Sequence, residues 1–121
     1  MCSVIAWKHS TTEGAPTVMI DAHMDEVGFL VQYIRDDGMI RYLPVGGVDA
    51  AVCVSKRVRI GKNAVPGVIG CKAVHLQEAG ERSQALKHSQ LLIDIGAKDK
   101  KDALTKVKVG DYITFESDFV E

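Results

Sequence analysis

The sequence has no excess charge of either sign: 15 lysines and arginines face 16 aspartates and glutamates, for a formal net charge of −1 at pH 7. A chain so balanced carries no electrostatic footprint for nucleic acid or for an anionic membrane surface. No apolar run approaches the roughly 18 residues that a membrane-spanning helix needs. Met1-Cys2-Ser3 is not followed by a basic stretch and then an apolar one, so no secretory leader is expected and the cytoplasm is the expected compartment. Cysteine is scarce: Cys2, Cys53 and Cys71 are odd in number and form no C-x-x-C pair. That pattern argues against a disulfide framework and for buried thiols in a reducing compartment. Catalytic signatures are missing as well. There is no G-x-S-x-G elbow, and His9, His23, His75 and His88 form no HExxH or HxxxH pair. Gly67-Val68-Ile69-Gly70 lacks the third glycine, the helix and the acidic partner of a dinucleotide fingerprint, so its glycines are read as strand punctuation.

What is present is an ordinary globular composition, 46% apolar and 26% charged over 121 residues. A chain of this length buries roughly 65% of its extended surface and can build one core without staples. Ser3 to His9 and Thr17 to His23 are expected strands, the second with a Val18-Met19-Ile20 run suited to burial on both faces. Beyond Glu26 the pattern is antiparallel β. Val27, Phe29, Val31 and Tyr33 alternate along one expected face, and Asp36-Asp37-Gly38 closes a hairpin onto Met39 to Leu43. Pro44-Val45-Gly46-Gly47 is expected to break the run, with Gly46, Gly47 and Asp49 in a turn. Ser55 to Gly61 places Val58 and Ile60 inward, Arg57 and Arg59 outward. Pro66 to Cys71, Leu91 to Ile95 and Tyr112 to Glu116 are further short strands, with Asp94 facing outward. Gln77 to Gln90 is a polar excursion with one helical turn around Arg82 to Lys87. Asp99 is placed to cap a helix over Lys100 to Lys106, with Asp102 in the first turn where the helix dipole favours an acid. Lys98 to Lys101 reads as a solvated face. The expected architecture is mainly β: a closed, roughly six-stranded barrel with one short helix, preceded by two strands of another sheet.

Acidic groups and an imidazole gather in Asp21-Ala22-His23-Met24-Asp25-Glu26. Such a cluster at the end of an apolar strand is where a metal or acid–base site is sought. On a strand, H-x-D spacing puts His23 and Asp25 on one face, where a carboxylate can orient a metal-bound imidazole. The spacing alone is a weak signal, and nothing else in the sequence completes a ligand set.

Several stretches taken together resemble one family. Ala22-His23-Met24-Asp25-Glu26-Val27-Gly28-Phe29, Pro44-Val45-Gly46-Gly47, Pro66-Gly67-Val68-Ile69-Gly70-Cys71-Lys72, Leu92-Ile93-Asp94-Ile95-Gly96-Ala97 and Val109-Gly110-Asp111 look like the glutamyl aminopeptidase, tetrahedral aminopeptidase and cellulase-M family of dinuclear metallopeptidases. The resemblance implies a catalytic α/β domain interrupted by a barrel lid, two divalent ions (zinc or cobalt) in the catalytic half, peptide substrates and a homo-oligomer. It implies that His23 is the first metal ligand and that Asp25 is the catalytic carboxylate steadying that imidazole. Residues 1–25 then correspond to catalytic-domain strands and 26–121 to the lid. The bridging Asp, the Glu general base, a further Asp and the second His come later in the family than Glu121. The expectation is therefore a piece of a metal-dependent aminopeptidase, inactive on its own and holding no metal stably. A freestanding barrel for oligomerisation or binding is the alternative. The strands at the start, deprived of sheet neighbours, are expected to promote self-association.

Overall fold

In a computed structural model, residues 3–73, 76, 80 and 85–117 are described. Apolar residues at every second position pair into six strands: β1 (Gly28–Ile34), β2 (Ile40–Val45), β3 (Arg57–Ile60), β4 (Val65–Cys71), β5 (Leu91–Asp94) and β6 (Tyr112–Phe115). Helix α1 (Ala50–Cys53) follows β2, and helix α2 (Lys100–Lys106) precedes β6. All pairings are antiparallel, and the order β1-β2-β5-β4-β3-β6 closes into a barrel. Closure pairs the two outer strands with each other and leaves no template for a foreign strand. Phe29, Val31, Ile40, Val58, Ile60, Ile69, Ile93 and Ile113 fill the interior, none more than 2% exposed. The barrel and its short helix match the sequence expectation, including Val58 and Ile60 inside and Asp94 outside.

Three local readings change. A bulge between Val31 and Tyr33 puts one extra residue into β1. A strand's side chains alternate with a period of two, so the extra residue turns Tyr33 outward, 47% exposed, and Ile34 inward, 1% exposed. Tyr33 instead lies under the Lys100 ammonium, which is 4.9 Å from the ring centroid. The expected break at Pro44 comes later, because β2 runs on to Val45 with Pro44 opposite Phe29. Pro44 has no N–H and cannot serve two neighbouring strands; among the described residues β2 meets β5 only at Ile40 and Ile93. Thirdly, Asp49 does more than turn the chain: its Oδ1 accepts from the Ala51 N–H at 2.9 Å and caps α1.

The two segments expected as strands, Ser3 to His9 and Thr17 to His23, form none. A strand exists only through hydrogen bonds to a neighbour, and none of the described residues lies alongside as a ladder partner. Trp7 is 74% exposed and Ile20 92% exposed. The expected turn of helix over Arg82 to Lys87 falls mostly outside the described residues, as do Cys2 and His75. The excursion ends in a 3-10 turn, His88–Gln90.

Helix α2 begins as the sequence predicts. Asp99 Oδ1 accepts from the Asp102 N–H at 2.8 Å, and Asp102 Oδ2 accepts from the Lys98 N–H at 3.0 Å. The Lys98 N–H, followed by the Lys106 ammonium at 3.1 Å, holds the Asp102 carboxyl below its ordinary value. Replacing Asp99 by Ala leaves a helix donor without its cap and is expected to cost about 1 kcal/mol. Urea unfolding of Asp99→Ala against the parent checks this, with Asp99→Asn, whose side-chain oxygen can still accept from the Asp102 N–H, expected to retain most of the stability.

Candidate metal-ligating junction

His23 and Asp25 stand in the exposed segment that leads into β1. The His23 Nδ1 lies 2.7 Å from the backbone oxygen of Asp25 and 3.5 Å from its Oδ1. A carbonyl oxygen only accepts, so Nδ1 carries the proton and donates it. In the neutral ring this leaves the Nε2 lone pair free, which is the tautomer a ligating imidazole needs. The sequence reading gave the orienting role to the Asp25 carboxylate across a strand face. The structure brings the two residues together without a strand, and the Asp25 carbonyl makes the shorter contact. Both side chains face solvent, at 85% and 94% exposure. Among the described residues no three His, Cys, Asp or Glu side chains gather into a metal-holding group.

Three residues after Asp25 the chain enters the barrel at Gly28. Gly28 pairs with Val45 and Phe29 with both Pro44 and Ile113, so the junction is tied to β2 and β6 at once. Beside it lies a groove of about 390 Å³ whose lining includes Glu26, Arg59, Lys62, Thr114 and Glu116. Glu116 draws in two guanidinium groups: Arg59 Nη2 donates to its Oε1, and Arg57 Nε lies 2.7 Å from its Oε2. These contacts tie the exit of β6 to β3, next to the point where β1 starts.

A second polar cluster escaped the sequence reading. The His88 Nε2 donates to the Val48 carbonyl at 2.8 Å, which leaves Nδ1 to accept from the Tyr42 hydroxyl at 3.2 Å. The Phe29 and Tyr42 rings meet edge-on with centroids 4.6 Å apart. Burial, followed by the charge that a Cys53 thiolate would bring, pushes the Tyr42 hydroxyl well above its ordinary value. Burial, followed by the Asp49 carboxylate, raises the Cys53 thiol. Cys53 is fully buried as the composition predicted, and its thiol donates to the Asp49 carbonyl at 3.2 Å. Nothing in the sequence signals that His88, inside a polar stretch, reaches back to a tyrosine 46 positions earlier.

Comparison with known proteins supplies the class, an aminopeptidase family. The family model described as M42 glutamyl aminopeptidase matches residues 2–121. The chain belongs to that family. It is 33% identical to the glutamyl aminopeptidase of Lactococcus lactis subsp. cremoris over 123 residues, which is 97% of this chain and 34% of that protein. Among solved structures, the TET aminopeptidase from the marine sediment archaeon Thaumarchaeota archaeon SCGC AB-539-E09 superposes with a TM-score of 0.71 at 34% identity, covering 77% of this chain and 27% of that one. The Pyrococcus horikoshii TET1 peptidase, described as assembling into a tetrahedron or a large octahedral shell, gives 0.68 at 34% identity, over 82% of this chain and 30% of that one. The chain spans 27 to 34% of the length of the curated relatives it matches. No helix among the described residues is long and apolar enough to cross a membrane.

Proposed function

We propose that this chain is the barrel lid of a metal-dependent aminopeptidase, together with the segment that brings in its first metal ligand. Residues 1–25 belong to the catalytic side and 26–121 to the lid. The observation that carries the reading is the His23 ring, whose Nδ1 is occupied by the Asp25 carbonyl and whose Nε2 is free. In the complete protein His23 is a ligand of one of two divalent ions, zinc or cobalt. Asp25 is the catalytic carboxylate beside it. The substrates are peptides that lose their N-terminal residue, the compartment is the cytoplasm and the assembly is a homo-oligomer. Metal supplies the activated water in such enzymes, but one imidazole and one carboxylate do not hold two ions against solvent. No catalytic step is therefore assigned to this chain alone.

The gene tests this directly. A reading frame that continues past the codon for Glu121 and encodes further Asp, Glu and His ligands supports the proposal. A stop codon there supports the alternative, a non-catalytic barrel module, which the self-contained core favours. At the protein level, the 121-residue chain is expected to release no product from aminoacyl-anilides with added zinc or cobalt. Turnover that survives repurification and disappears in His23→Ala overturns the assignment of inactivity.

A further inference from the structure

The junction between Asp25 and the barrel passes two glycines at close range, one against backbone and one, in a left-handed turn, against a side chain. A Cβ on Gly28 would lie 2.7 Å from the carbonyl oxygen of Ile113 in β6. A Cβ on Gly46, which has φ of +91°, would lie 2.8 Å from Cγ1 of Val27. Neighbouring Gly47 differs on both counts: its φ is not in the left-handed region, and nothing lies within 4 Å of its would-be Cβ. The turn glycine after β2 thus packs against the last residue before β1, and the first residue of β1 packs against the β6 backbone. Each contact involves a different neighbouring strand, and together they hold Val27 and Gly28 from two sides of the ladder.

We infer that Gly46 and Gly28 are positioning residues: they clamp Val27-Gly28 and fix the direction in which His23–Asp25 leaves the barrel. The inference rests on the proposed role of that segment. Val27 is four residues from His23, a reach of up to about 13 Å in extended chain. A tilt of roughly 10° at Val27 then moves the imidazole by about 2 Å. Misplacement by about 1 Å already costs on the order of a hundredfold in rate where reacting groups must be aligned. A barrel that is rigid but loosely jointed to its ligand segment would not serve. The clamp gives the joint the barrel's own stiffness, and it needs hydrogen at two Cα positions to do so.

Backbone amide order parameters from nitrogen-15 relaxation test this on the chain itself, at a concentration below the onset of association in light scattering. Asp25, Glu26 and Val27 are expected near the rigid value of about 0.85 in the parent and in Gly47→Ala. In Val27→Ala, which removes the side chain that Gly46 holds, they are expected to fall below about 0.6, while Ile93 and Ile113 stay near 0.85. Gly46→Ala is expected to show the same loss. If its strained turn prevents folding, Val27→Ala still decides, because Val27 is 38% exposed and outside the core. Order parameters unchanged in Val27→Ala, or already below about 0.6 in the parent, overturn the clamp. No metal or substrate enters the measurement, so failure of the aminopeptidase reading and failure of the clamp are separate results.

Discussion

Phe29→Ala is expected to remove about 3 to 5 kcal/mol of stability, the largest loss from any single replacement in the barrel. Aromatic residues are few, 6% of the chain, and three of them meet at one point. The Phe29 ring is 1% exposed, edge-on to Tyr42 at 4.6 Å and to Phe115 at 5.2 Å between centroids, with the His88 ring tilted at 6.2 Å. It therefore touches β2, β6 and the turn before β5 together. β2 and β5 share one ladder pair among the described residues, so side chains must fill the space where those strands diverge. Truncation loses the buried area, leaves a cavity the surrounding strands cannot close, and forfeits about 0.5 to 1.5 kcal/mol for each aromatic contact. Domains of this size hold about 5 to 15 kcal/mol in all, so the variant is expected to be marginal. Urea unfolding followed by far-ultraviolet circular dichroism measures the loss. Phe29→Leu, which keeps most of the volume, is expected to retain most of the stability. A loss below about 1.5 kcal/mol for Phe29→Ala would show that the ring is not what closes the barrel.

The parts of this fold that were legible in the sequence are those encoded locally. Arg57-Val58-Arg59-Ile60 states its own inner and outer faces, and Asp99 with Asp102 states the start of α2 within four residues. Asp36-Asp37-Gly38 states its hairpin, with Gly38 at φ +82° as such a turn requires. The inaccessible parts depend on distant neighbours. The bulge after Val31 is set by how β1 pairs with β2, and an alternating pattern carries no mark of the one residue that slips. The four-residue helix α1 is too short to show a period. Val18-Met19-Ile20 reads as a buried strand, but burial requires something to be buried against, and the described residues supply nothing. The candidate site divides in the same way. His23 and Asp25 were visible because they are two residues apart. The tautomer that leaves Nε2 free depends on a backbone oxygen, and the glycine contacts around Val27 join positions 27 with 46 and 28 with 113. The motifs were on view, whereas the reason for their glycines lay in three dimensions.

Raising the pH above about 9 is expected to lower the stability of the barrel, and Tyr42 and Cys53 give the direction. Both groups are neutral in the folded barrel and held above their ordinary values, 10.0 for the phenol and 9.0 for the thiol, chiefly by burial. Below pH 9 both states of the chain keep both protons, and the two groups contribute nothing to a change with pH. Above 9 for Cys53, and above 10 for Tyr42, the unfolded chain gives up its proton while the folded chain keeps it. The unfolded state then binds fewer protons, so stability falls as pH rises, by up to about 1.4 kcal/mol per pH unit for each group. The fall continues until the folded groups themselves ionise. Ionisation of Tyr42 would also remove the proton that its hydroxyl donates to His88 Nδ1 and place a charge beside Phe29. Between pH 9 and 11 Tyr42 alone is expected to remove about 1 to 1.5 kcal/mol, and Cys53 adds to the fall in the same direction. Urea midpoints measured at half-unit steps from pH 7 to 11.5 give the slope. Tyr42→Phe, compared with itself across the same range, is expected to lose the steeper part above pH 10, at the expense of a weaker hold on His88 at every pH. Cys53→Ser is expected to flatten the part between 9 and 10, because a serine hydroxyl can donate to the Asp49 carbonyl without titrating there. A Tyr42→Phe chain whose stability falls above pH 10 as steeply as the parent's would place the alkaline sensitivity elsewhere in the molecule, and the buried phenol would have no part in it.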